Sequence, residues 1–105
     1  MKSEKLVITF RTRLNPGFDS ELAELGMRMY QLAIAMPGFL SYKDFASADG
    51  ENLSVIEFDT AEHLAAWRNH PEHLAAQELG RSKYFASYQI QVCQVNREYS
   101  SGSAL

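Results

Sequence analysis

Residues 60–84, TAEHLAAWRNHPEHLAAQELGRSKY, hold all three histidines, His63, His70 and His73, and the only tryptophan, Trp67. Histidine titrates nearest neutrality and is the natural proton acceptor. His63, Trp67 and His70 recur at i, i+4, i+7, so they share a face of any helix that reaches His70. That is a base beside an aromatic wall. The structural alternative is a solvated His63 and a core-anchoring Trp67. His70 precedes Pro71 and suits either a base or the cap of the next helix; His73, one turn on, is a second candidate. Arg81 is placed either to stabilise an enolate or phenolate, or to complete a helix C-terminus. Tyr84 and Tyr88 fall on one face of the last strand, either offering phenols to a substrate oxygen or packing as aromatics with a polar tip. Two histidines at i, i+3 without HEXXH or clustered cysteines do not make a metal site. No glycine-rich phosphate loop, nucleophile elbow or useful carboxylate pair occurs, so nucleotide and hydrolase chemistry lack support.

These residues need elements to hold them. Residues 5–13 alternate, with Leu6, Ile8 and Phe10 on one side and Val7, Thr9 and Arg11 on the other, which predicts a strand. Asn15-Pro16-Gly17 stops it. A helix follows from Phe18 or Asp19 to Met36, its apolar stripe made by Leu22, Leu25, Met29, Leu32, Ala33 and Met36. Met29 and Met36 fit core filling better than a ligand surface. After Pro37-Gly38, residues 39–46 and 53–58 read as strands joined by an Asp49-Gly50 hairpin turn. Thr60 is a good N-cap. Pro71 breaks the second helix near Asn69 and opens a third, which Gly80 is placed to end. Residues 84–97 form a long last strand, with Tyr84, Ala86, Tyr88, Ile90 and Val92 on one face and Phe85, Ser87, Gln89, Gln91, Cys93 and Val95 on the other. The order is β-α-β-β-α-β, a ferredoxin-like α+β sandwich with the second helix broken at Pro71.

The chain of 105 residues is 46% hydrophobic and 22% charged and reads as one ordinary globular domain over residues 1–99, with a polar tail at 100–105 expected to fray. Its net charge of −3, with scattered Lys and Arg, argues against nucleic-acid or anionic-membrane partners. The single cysteine, Cys93, allows no internal disulfide and is expected to pack in the core. No apolar run approaches the roughly 20 residues of a membrane span. The start MKSEKLVITF lacks signal-peptide anatomy, which makes cytoplasm the expected address. A four-stranded sheet with helices on one face leaves the other open. That face carries apolar groups here, so a second copy is expected to cover it.

Met36-Pro37-Gly38-Phe39, the hairpin segment LSVIEFD, the run Trp67-Arg68-Asn69-His70-Pro71-Glu72-His73, and Gly80-Arg81 before the tyrosine-rich strand resemble the antibiotic biosynthesis monooxygenase domain family over residues 6–99. The resemblance implies a homodimeric α+β barrel with a pocket between sheet and helices. It implies oxygenation of a small aromatic or quinol-type substrate with O2 and no metal or flavin. The motif residues it carries over are Trp67, His70, His73 and Arg81. The family's haem-degrading branch has an Asn early in the first strand and a His where this chain has Gln77, and KLVITF has no Asn. From the residues, His70, Trp67 and Arg81 are the catalytic candidates, and Tyr84, Tyr88, His73 and His63 the substrate-binding ones. A non-catalytic homodimer that binds a small hydrophobic molecule is the alternative, with haem binding or degradation behind it.

Overall fold

The computed structural model describes residues 4–102. Met1–Ser3 and Ser103–Leu105 lie outside the described residues, so part of the expected tail and the first residues of the N-terminal reading do too. Four strands, β1 (Leu6–Leu14), β2 (Phe39–Ala46), β3 (Asn52–Phe58) and β4 (Phe85–Gln94), form one antiparallel sheet in the order β2-β3-β1-β4. Three helices, α1 (Asp19–Ile34), α2 (Ala61–Arg68) and α3 (Pro71–Leu79), join them. This is the ferredoxin-like α+β arrangement that the element order predicts. No helix among the described residues is long and apolar enough to cross a membrane.

Pairing register tells the two sheet faces apart. Ile8 pairs with Ile56 and with Val92, and these lie on the helix side with Leu6, Phe10, Thr12, Tyr42 and Phe58. The core forms there. Ile8, Ile56 and Phe58 of the sheet pack with Met29, Leu32 and Ala33 of α1 and with Leu64, Trp67 and Ala76 of α2 and α3. Met29 and Met36 are core fillers, as the stripe predicts. The outward face carries Val7, Val55, Leu53 and Phe45, bordered by the ion pairs Arg11–Glu51, Arg13–Asp49 and Lys5–Glu57.

Local sequence explains the helix ends. The Thr60 hydroxyl accepts the His63 N–H at 3.2 Å and starts α2. Pro71 takes the first position of α3, where its missing N–H costs nothing. α1 stops at Ile34, two residues short of Met36, with Ala35 as its cap. The turn beyond bends through Gly38 at φ +82°, in the left-handed region. The Gly38 carbonyl accepts the Asp59 N–H at 2.9 Å, and a Cβ at Gly38 would overlap Asp59 and His63.

α3 ends at Leu79 with Gly80 as its cap, as the sequence predicts, but three other expectations need correction. Gly80 is not left-handed. It keeps right-handed angles and leads into a single π-helical turn, Gly80–Tyr84, whose first carbonyl accepts the Phe85 N–H. Space selects glycine here, since a Cβ would run into the Phe85 ring. The last strand accordingly begins at Phe85 and ends at Gln94, so Tyr84 is not on its face. Nor do Phe85 and Tyr88 point apart. A bulge opposite Arg13 and Leu14 adds a residue to β4, and the two rings meet at 6.0 Å between centroids. Cys93 is exposed, opposite Val7 on the outward face, and is not in the core.

Candidate functional site

The seven sequence-derived residues fall into separate environments. Trp67 and His73 come together at the start of α3. The rings stack with centroids 4.2 Å apart and planes 24° apart. Trp67 is buried and also stacks on Phe58, with Tyr42 edge-on at 6.3 Å. Its indole Nε1 is buried without a hydrogen-bond partner among the described residues. His73 Nδ1 lies 3.2 Å from the Trp67 carbonyl oxygen. A carbonyl only accepts, so Nδ1 carries the proton, and the neutral ring keeps its lone pair on Nε2. Burial depresses the His73 pKa, outweighing the carbonyls of Trp67 and Arg68, which raise it.

His70 is committed elsewhere. It holds the extended backbone required before proline, and its Nδ1 accepts the Glu72 N–H at 3.1 Å as the N-cap of α3. A neutral His70 therefore spends its one lone pair on the cap. His63 Nδ1 lies 2.6 Å from Asp59 Oδ1, with both side chains partly exposed. Gln77 donates to the Arg68 carbonyl at 3.3 Å and ties α3 to the end of α2.

Arg81 and Tyr88 form the second group. Arg81 pairs with Glu78 at 3.0 Å, and the Tyr88 hydroxyl approaches the same guanidinium; both keep it charged. Tyr88 stands on the helix side of β4 beside Phe10 and Phe85, the three rings in mutual contact. Ile90 and Val92 extend this shelf. Tyr88, Ile90 and Val92 remain 45%, 52% and 49% exposed, because the helices lie over the other strands. Arg81 follows His73 by about 12 Å of helix length at the usual rise per residue, so the two groups occupy opposite ends of α3.

Tyr84 belongs to neither group. It is buried in the π turn, donates its hydroxyl to Glu21 at 3.0 Å and meets Phe18 edge-on. Its backbone carbonyl accepts the Asn15 N–H at 2.8 Å, so it locks the loop before α1 to the turn before β4. Sequence reasoning passed over Tyr42, Phe10 and Phe85. The helix-side alternation of β1 and β2 marks Phe10 and Tyr42 as inward, whereas Phe85 depends on a bulge that no residue pattern announces.

Two concavities open elsewhere. One of about 430 Å³ lies on the outward sheet face between Arg11, Phe45, Glu51, Leu53 and Gln91. Another of about 410 Å³ lies at Leu6, Thr60, Glu62 and Gln94. Neither is lined by the sequence-derived candidates. Among the described residues, no three His, Cys, Asp or Glu side chains converge as a metal ion would require.

The fold resembles that of several solved structures. That of Rv0793 from Mycobacterium tuberculosis superposes with a TM-score of 0.79 at 23% identity, over 91% of this chain and 99% of that one. SnoaB from Streptomyces nogalater, a cofactor-independent oxygenase, gives 0.77 at 11% identity, over 94% and 100%. At such identities the likeness defines the class of fold. A closer sequence relative is the uncharacterized protein YqjZ of Bacillus subtilis, 39% identical over 80 residues, which are 76% of this chain and 70% of that protein. Residues 6–79 match the family Antibiotic biosynthesis monooxygenase. The chain belongs to that family.

Proposed function

We propose that this protein is a cofactor-independent monooxygenase that acts, as a homodimer, on a small electron-rich aromatic or quinol. The observation that carries the reading is the partly exposed aromatic shelf of Phe10, Phe85 and Tyr88 with the Arg81 guanidinium at its edge. An apolar shelf takes a flat ring, and a fixed cation stabilises the phenolate formed on it. His73 is the base on this reading, which requires a polycyclic substrate long enough to span the roughly 12 Å of α3 between Arg81 and His73. Its ring is kept neutral by burial, its tautomer is set by a carbonyl, and its Nε2 can accept a proton. Trp67 is the wall that orients it. His70 and His63 serve α3 and the Asp59 contact, and Tyr84 braces the π turn.

The chemistry balances without a further electron donor. The substrate loses a proton, and its anion gives one electron to O2. The radical pair joins as a peroxide at carbon, and loss of water leaves a carbonyl. One oxygen atom enters the product and the other leaves as water. The protein contributes the base, the cation and an apolar surface. A second copy against the outward face is supported by Val7, Leu53, Val55 and Phe45, the last 49% exposed.

Oxygen uptake with a panel of hydroquinones, naphthols and anthrones tests this. His73→Gln should lower kcat by about 10²–10⁴-fold, the usual range for a general base, while His63→Gln and His70→Asn keep most of it. Saturable binding of the same compounds without oxygen uptake would sink the reading in favour of a non-catalytic binder. A Soret shift with haem and no quinol turnover would favour haem chemistry instead.

A further inference from the structure

Trp67 is the inner end of a line of oxidisable rings. Its centroid is 6.3 Å from that of Tyr42, and the Tyr42 centroid is 5.5 Å from that of Tyr30, both pairs edge-on. Rings at these separations are in direct contact. Trp67 is 4% exposed and Tyr30 38%, so the line runs from the core to the surface of α1. Indole and phenol are the side chains that give up single electrons most readily after thiols. Phe58 and Phe39, which also pack in this core, do not share that property.

Tyr42 also has an outlet for its proton. Ser54 is a diagonal neighbour of Tyr42 on the same sheet face, and Ser54 Oγ donates to Asp44 Oδ1 at 2.5 Å. The carboxylate only accepts, so the single Ser54 proton is used there, which leaves Ser54 Oγ open to accept from Tyr42. Asp44 is exposed and can release a proton to water. Burial raises the Tyr42 pKa, so the phenol holds its proton until it is oxidised. At the other end, the indole N–H has no acceptor among the described residues, so an oxidised Trp67 keeps its proton and stays a strong oxidant.

We propose that Trp67, Tyr42 and Tyr30 form a relay that carries an oxidising equivalent from the core to the surface, with Ser54 and Asp44 taking the Tyr42 proton. The oxidant is an organic peroxyl radical. It takes one electron from Trp67 and one proton from water and leaves as a hydroperoxide. The indole radical cation takes an electron from Tyr42, whose phenol proton passes through Ser54 to Asp44. The Tyr42 phenoxyl radical then takes an electron from Tyr30, and the proton returns from Asp44 through Ser54. Tyr30 gives its own proton to water. In sum, the peroxyl radical becomes a hydroperoxide and Tyr30 becomes a phenoxyl radical that a surface reductant can quench. The relay protects the buried indole whatever compound the protein acts on.

Laser photoionisation at the red edge of the indole band tests this without substrate, so its outcome is independent of the oxygenase reading. In the full chain the indole radical cation should give way to a tyrosyl radical. Tyr42→Phe, which keeps the ring, should prolong the indole radical by at least an order of magnitude. Ser54→Ala should prolong it too, because the phenol proton then loses its acceptor. Tyr30→Phe should leave the tyrosyl radical on Tyr42 and abolish dityrosine cross-links between molecules. Unchanged indole decay in both Tyr42→Phe and Ser54→Ala, or cross-links mapping to Tyr99 in place of Tyr30, would overturn the relay.

Discussion

His73 and His70 are three residues apart, and one hydrogen bond each separates their capacities. His70 uses its lone pair to cap α3, whereas His73 gives its Nδ1 proton to the Trp67 carbonyl. The depressed His73 pKa also has a stability consequence. An unfolded histidine titrates near 6.5. Between that value and the lower folded one, the unfolded state binds more protons, so stability rises with pH. The contribution is complete above about 6.5 and is lost as pH falls toward the folded pKa. Urea titrations at neutral and mildly acidic pH should show this loss, and His73→Gln should flatten it. An equal acid sensitivity in the variant would mean that another group is responsible. Arg81→Ala should lower kcat by about 10²-fold, as loss of a fixed anion partner does, with Arg81→Lys recovering part. A change in KM alone would mean that Arg81 binds substrate and the transition state equally.

Among the elements, the loop at Gly38 and the π turn decide where side chains go. Gly38 has a left-handed backbone and no room for a methyl group against Asp59 and His63. Gly38→Ala should therefore destabilise the fold by more than about 1 kcal/mol. Gly26 is the opposite case, lying inside α1 with nothing near where a Cβ would stand. Gly26→Ala should stabilise by about 0.5–1 kcal/mol. Thermal melts of the two variants side by side would check both signs. The π turn brings Arg81 to the Tyr88 hydroxyl while burying Tyr84 against Glu21 and Phe18. One extra residue in the turn thus separates two tyrosines that a regular strand would align.

For the whole molecule, the outward sheet face is where the proposed homodimer would join. Val55 lies at its centre, paired with Thr9 on one side and Lys43 on the other. On the homodimer reading, Val55→Lys buries a charge in the interface and should yield a monomer by sedimentation, with helix content retained. A wild-type chain that sediments as a monomer at micromolar concentration would refute that reading.

Much of this molecule was fixed by local pattern. Alternation in the strands, the apolar stripe of α1, the Thr60 cap and the Pro71 break are written in spacing and residue type, because each reflects the period of one element. They were enough for the order of elements and most of the core, and the motif resemblance for the family. What they could not carry was how the candidate side chains divide. Whether a histidine keeps its lone pair depends on which backbone group lies beside it. Whether Tyr84 and Tyr88 share a face depends on a π turn and a bulge that add residues without changing composition. Those are properties of segments meeting, and only the tertiary structure settles them: it stacks His73 on Trp67, sets Arg81 beside Tyr88, and leaves His63, His70 and Tyr84 holding the frame.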